Sequence, residues 1–180
     1  MTTVQPVRIR TDEFDRMTDV GLFDGRRVEL VEGTLYEMPP MRTPHLRALV
    51  RLQRMLTIYN AAERLLVQVP VPMPDFDEPE PDLAVLRAPL GRRKPAAADC
   101  QVVIEVSDST LAFDRQHKVP AYLRAGVPTV WIVNVPDQQV EVYRADTRGH
   151  RVYLRDDRLE VDGVVVDLAV LFEDLEDAAG

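Results

Sequence analysis

Two rhythms of apolar and polar positions run along the chain, and the changes between them mark its elements. Over residues 44–59 the period is helical. His45, Leu49, Leu52, Leu56 and Tyr59 fall on one face, and Arg47, Arg51 and Arg54 on the opposite one. Thr11 followed by Asp12 and Glu13 reads as an N-cap with acids in the first turn, opening a short helix to about Met17. The segments 28–31 and 35–38 flank Glu32-Gly33-Thr34 and predict a hairpin closed by Pro39-Pro40. Strands are predicted over 65–70 and 82–86, with a proline-broken acidic loop at 72–81 between them. An exposed basic connection, 88–99, leads to 101–106, which is apolar enough for an internal strand.

Asp114 is placed as the cap of a helix ending near Ala125, with Gly126 at C′ and Pro128 just beyond. Pro120 lies inside that span. It predicts either a kink or a regular helix starting at about Val119, with the proline in its first turn. Strands follow at 129–133 and 140–143, joined by a turn at Pro136-Asp137. Further β-structure is expected at 152–154 and 164–166, then a closing helical turn over 168–172. The central order of helix, strand, strand, strand, helix, strand predicts an α/β or α+β layout around a mixed sheet. An N-terminal hairpin and a C-terminal β extension (145–180) flank it.

Length bounds this to one domain: 180 residues suit a single core, here about 8–144, without covalent staples. Cys100 is the only cysteine, and His45, His117 and His150 share no metal-ligand spacing, so structural zinc is not expected. Residues 1–10 hold no apolar signal and no stretch approaches a membrane span, which makes a cytoplasmic protein the expectation. Thirty acids against 22 bases leave a net charge of −8, which argues against nonspecific coating of nucleic acid but permits a local basic groove. Acids crowd 75–82 and the tail (Glu173, Asp174, Glu176, Asp177), while bases gather at Arg92-Arg93-Lys94 and over 42–54.

Candidate chemistry rests on carboxylates. Asp82 opens one predicted strand and Glu105 lies near the end of the next. Alternation puts Val102, Ile104 and Val106 on one face and Val103, Glu105 and Ser107 on the other. If the strands pair, both carboxylates meet at a common edge. An acid in an apolar strand is costly unless paired or bound to a cation. Two readings stay open at this level: a structural ion pair, or two hard oxygen donors for Mg²⁺ or Mn²⁺. Lys118 on the following helix is an ordinary surface lysine in the first reading. In the second it stabilises charge on a phosphate. Glu29 and Glu32 point to opposite strand faces, so at most one can face a site. His45 is either a helix-start core histidine or a site residue. The stripe Arg47, Arg51 and Arg54 is either a solvated face or a set of phosphate contacts. Asp114 is more simply a cap than a ligand, and Trp131 is expected in the core.

Several ordered motifs resemble one family. Residues 24–33 (Asp-Gly-Arg-Arg-Val-Glu-Leu-Val-Glu-Gly), Met38-Pro39-Pro40 and His45 are similar to the N-terminal signature of the Uma-two family, within the PD-(D/E)XK nuclease superfamily. Glu80-Pro81-Asp82-Leu83-Ala84-Val85 resembles its Pro-Asp strand, and residues 103–110 with Asp114 and Lys118 its Glu-containing strand and helix. Tyr122, Ala125-Gly126-Val127-Pro128 and Trp131-Ile132-Val133 complete a match over about 8–144. The resemblance implies a restriction-endonuclease-like fold. It further implies a divalent metal on Asp82 and Glu105, and Lys118 in place of the lysine that usually stands two residues after the glutamate, where this chain has Ser107. Glu29 and His45 are further catalytic candidates. The implied activity is Mg²⁺- or Mn²⁺-dependent hydrolysis of DNA. The alternative is a weakly active or inactive nuclease fold acting as a dimeric binding module, and a homodimer is an expected partner state.

Overall fold

The structure is a computed structural model that describes residues 4–175; Glu176 and Asp177 of the acidic tail lie outside the described residues. Local signals organise the N-terminal third. Helix α1 (Thr11–Asp19) is capped by Arg10, whose backbone N–H donates to the Glu13 carboxylate at 2.9 Å, so Thr11 is the first helical residue and not the cap. Strands β1 (Val28–Val31) and β2 (Thr34–Glu37) form an antiparallel hairpin. Its two turn residues, Glu32 and Gly33, sit at φ 53° and 77°, the left-handed pair that a two-residue hairpin needs. A Cβ on Gly33 would lie 2.7 Å from that of Arg8, so only glycine fits.

The helical period of 44–59 becomes two helices, α2 (Thr43–Met55) and α3 (Thr57–Ala61). Then come β3 (Leu65–Val67), β4 (Leu83–Leu86) and β5 (Cys100–Ser107). A continuous right-handed segment follows: α4 (Leu111–Phe113), a π-helical turn at Asp114–Lys118, and α5 (Val119–Arg124). Strands β6 (Thr129–Asn134), β7 (Gln139–Arg144) and β8 (His150–Leu154) complete a six-stranded sheet in the order β3-β4-β5-β6-β7-β8. Only β5 and β6 run parallel, joined by the helical segment as a crossover, so the sheet is mixed.

Alternation along β5 holds. Val102, Ile104 and Val106 pack with Leu49 and Leu52 of α2 and with Leu56 just after it on one face, where Trp131 is also buried. Val103 packs with Val119 and Tyr122 of α5 on the other. The first face is closed by a second hairpin, β9 (Arg158–Val161) with β10 (Val164–Asp167), and by α6 (Leu168–Leu171). Strand β9 was not expected from the sequence: Arg-Leu-Glu-Val alternates for only four residues between Asp157 and the Asp162-Gly163 turn, too few to rise above loop composition.

The helix after β5 begins earlier than Asp114. Thr110 is its N-cap, and Asp114 is a buried residue inside it, its own N–H bonded to Thr110 O. Pro120 sits in the first turn of α5, the second of the two alternatives above. An α-helical Pro120 would press its ring on the carbonyl four residues back. The wide turn instead closes through Val119 N–H to Asp114 O, five residues back.

That turn is pinned to the sheet by Arg115. Its guanidinium pairs with Glu141 of β7, fully buried, which also accepts from Tyr143 Oη at 2.7 Å. Burial pushes the Glu141 carboxyl up, but the donors from Arg115, Tyr143 and Asn134 outweigh it and hold it below the usual range. A lowered folded value means stability present above the ordinary carboxylate range and lost as pH falls through the folded value. Glu141→Gln is therefore expected to cost about 1–3 kcal/mol near pH 7. Urea unfolding should show the gap to wild type shrinking between pH 6 and pH 3; a gap that widens would contradict this role.

Candidate active site

The pairing of β4 with β5 sets the site. Leu83 stands opposite Ile104, and the same antiparallel register carried one residue further brings Asp82 beside Glu105. Both are buried, and both border one cleft of about 30 Å³, enough for a water or a small ion, which Glu29, His45, Asp114 and Lys118 also line.

Each carboxylate is oriented by its neighbours. Asp82 Oδ2 accepts the Val106 N–H at 2.8 Å, and Oδ1 lies 3.0 Å from His45 Nε2 and 3.4 Å from Gln68 Nε2. Burial alone would raise the Asp82 carboxyl. The hydrogen bond and charge of His45, the Val106 N–H and the field of Lys118 outweigh burial and hold it below the usual range. Glu105 Oε1 accepts from Tyr122 Oη at 2.6 Å and from Lys118 Nζ at 3.1 Å. Here burial wins: despite Lys118, desolvation, with Asp114, Asp82 and Glu29 adding to it, pushes Glu105 well up.

Lys118 is 2 % exposed and lies 2.8 Å from Glu29 Oε2 as well as against Glu105. Desolvation works against its charge, but Glu105, Glu29 and Asp114 reverse that and raise its pKa. Glu29, 1 % exposed, has no aligned hydrogen-bond donor on either carboxylate oxygen. Its nearest cations are Lys118 and, at 4.0 Å, Arg27. Burial raises Glu29 too. Asp114 accepts from Ser107 Oγ at 2.7 Å and Thr110 Oγ1 at 2.6 Å, and burial leaves it raised. Four acids thus surround one lysine. Among the described residues no three His, Cys, Asp or Glu side chains are arranged to hold a metal ion together.

Of the sequence candidates, Asp82, Glu105, Lys118, Glu29 and His45 come together. Glu32, in the hairpin turn, lies away from the cleft and pairs with His117 and Arg124. The α2 arginines lie elsewhere. Arg47 donates to Asp174 O at 2.9 Å, and Arg51 to the carbonyls of Leu171 and Glu173, so both hold the end of α6; Arg54 borders a separate surface hollow with Asn60 and Leu65. Sequence reasoning had Asp114 as a cap and gave Tyr122 no site role. Their spacing of four to either side of Lys118 is the signal that puts all three on one helix face.

A family model named Uma2 and described as "Putative restriction endonuclease" matches residues 11–176. A 1.96 Å crystal structure described as "a putative nuclease belonging to DUF820", from Anabaena variabilis ATCC 29413, superposes with a TM-score of 0.72 at 18% identity, covering 95% of this chain and 100% of that one. At that identity the likeness shows the fold, a nuclease-like mixed sheet. No curated protein matches the chain.

The lysine is the only cation in contact with Glu29 or Glu105 at less than 4 Å among the described residues, so its loss leaves buried like charges. Lys118→Met is expected to destabilise the fold by about 3–5 kcal/mol at pH 7.5. Carboxyls with raised folded values contribute stability at low pH that is lost as pH rises, so the variant should regain stability toward pH 5, where Glu29, Glu105 and Asp114 take up protons. Chemical unfolding at both values reads this; a variant equally unstable at both would refute the charge-compensation account.

Proposed function

Since the chain belongs to the Uma2 family, we propose that it is a divalent-cation-dependent endonuclease acting on DNA phosphodiesters, with Asp82 and Glu105 as the protein ligands of Mg²⁺ or Mn²⁺. One observation carries the reading: four buried carboxylates border a single cleft, and one buried lysine is the only cation closer than 4 Å to Glu29 or Glu105 among the described residues. Such an excess of hard, buried oxygen donors fits a small hard dication. Two ligating carboxylates are the number Mg²⁺ commonly takes from a protein when water and phosphate fill its remaining positions. When bound, the cation supplies Lewis-acid polarisation of the phosphodiester and makes nearby water a better nucleophile.

The chain's own residues do the rest. Asp82 is kept ionised and aimed by Val106 N–H and His45, so it presents a charged oxygen without first shedding a proton. Tyr122 fixes the rotamer of Glu105 from behind. Lys118, held between Glu29 and Glu105, is a preorganised cation for the negative charge that grows on phosphate in the transition state. His45 is a positioning residue acting through Asp82. Glu29 acts likewise through Lys118.

Plasmid cleavage tests the proposal. Wild type is expected to convert supercoiled DNA with Mg²⁺ or Mn²⁺ and to stop in EDTA. Asp82→Ala and Glu105→Ala should lose about 100-fold or more, and Lys118→Ala, where folded, about 10²–10³-fold. Equal cleavage by wild type and the acid variants would expose a contaminant and sink the assignment. No cleavage by wild type with any divalent cation would favour the binding-module reading.

A further inference from the structure

Outside the cleft, one more buried carboxylate lacks a partner. Glu78 follows the acidic proline loop and bridges to β1, its N–H donating to Leu30 O at 2.8 Å. It is 7 % exposed, and Oε2 is buried with no hydrogen-bond donor among the described residues. Burial raises its carboxyl, and Asp15 raises it further; the opposing cation, Lys94, is exposed and lies 3.5 Å from Asp15. A carboxylate so placed costs free energy unless a cation reaches it.

The side chain borders a groove of about 640 Å³ on the side of α1. Its lining includes the acids Asp15, Asp19, Asp24 and Glu80 beside Glu78. The cations in the lining are already engaged: Arg26 with Glu37 at 2.9 Å, Arg27 with Glu80 at 3.1 Å, and Lys94 with Asp15. The apolar part of the lining includes Phe14 and Phe23, whose ring centroids lie 5.6 Å apart. Size and lining together select the ligand. The groove has some twenty times the volume of the catalytic cleft, far more than a bare ion fills, and no three acids in it are arranged as metal ligands. A positive group on a carbon stem matches both the acidic and the aromatic parts of this lining.

We propose that this groove is a binding site for a small organic cation, an ammonium or guanidinium group on an aliphatic stem, with Glu78 as its charge partner and Phe14 and Phe23 packing the stem. The site is separate from the cleft and does not depend on whether the cleft cleaves DNA.

Agmatine and putrescine serve as probes for the full-length chain, followed by amide chemical-shift mapping and calorimetry, with NaCl and MgCl₂ at matched ionic strength alongside. Saturable shifts confined to the neighbourhood of Phe14, Thr18, Phe23 and Glu78 are expected for the amines. Glu78→Gln, nearly isosteric, should weaken binding about 10-fold or more, since it removes the buried charge partner. Asp19→Asn, on the exposed rim, gives a second variant with a smaller loss should Glu78→Gln fail to fold. Three results would each overturn the proposal: no saturable shift at these residues, equal shifts with NaCl or MgCl₂, or unchanged amine affinity in both variants.

Discussion

Everything at the candidate site depends on one ammonium group. Lys118 Nζ lies 2.8 Å from Glu29 and 3.1 Å from Glu105, out of contact with bulk water. Three separate parts of the chain meet there: the N-terminal hairpin, the central strand β5 and the crossover helix. An ion pair this deep does not stabilise cheaply. The desolvation of three charges roughly cancels their attraction, and a well-packed apolar trio could do as well for stability alone. What such a cluster does supply is geometry. A carboxylate in a dry site has few orientations that satisfy it, so Glu29, Glu105 and Lys118 fix one another's positions.

The backbone device that makes this possible is the π-helical turn at Asp114–Lys118. An extra residue in one turn widens the helix, shifting the register of side chains on either side of it. Asp114 and Lys118 face the cleft, while Arg115, between them, reaches back to Glu141 on β7. One turn therefore anchors two buried acid clusters on neighbouring parts of the sheet. Pro120 belongs to the same device. It has no N–H to complete an α-helical bond to Gln116, and the wide turn is where that missing bond is absorbed. A proline that looks like an interruption in the sequence is thus compatible with a lysine held in place two residues earlier.

Much of this was legible before any coordinates. The two-fold alternation of β5 told which face Glu105 takes, because strand geometry leaves no freedom: Val102, Ile104 and Val106 had to share a face, and they do. The period of α2 sent Leu49, Leu52 and Leu56 inward for the same reason. Glu29 and Glu32 were expected to diverge and they do, although Glu32 proves to be a turn residue, and only Glu29 reaches the cleft. What could not be read was anything set by contacts distant in sequence. Asp114 has the residue type and setting of a helix cap, and its hydroxyl donors Ser107 and Thr110 are only seven and four residues away. Its burial at the cleft beside Glu29 and Asp82 is what the local sequence does not carry. Arg47 and Arg51 sit on a polar helix face, and the carbonyls at the end of α6 and just beyond that engage them lie 120 or more positions along the chain. The π turn has no sequence signature of its own beyond the awkwardness of Pro120.

The acidic character of the chain, at first an argument only against nonspecific coating of nucleic acid, takes on a different meaning at the site. Arg27 and Arg42 border the cleft, and each has an acid beside it, Glu80 and Asp108 respectively. The two α2 arginines that could have met phosphate hold the C-terminal turn instead. On the proposed reading, a phosphodiester entering the cleft would meet Lys118 as its innermost fixed positive charge, and that charge is already shared between two glutamates. A net charge of −8 then repels the substrate at long range, and the protein's own cations do little at short range to reverse it. On the same reading, mobile dications would supply the missing attraction, and the proposed metal dependence would rest on the charge inventory of the whole cleft as well as on the two carboxylates that would ligate the ion. The requirement for a dication should be as strict for holding DNA as for cutting it.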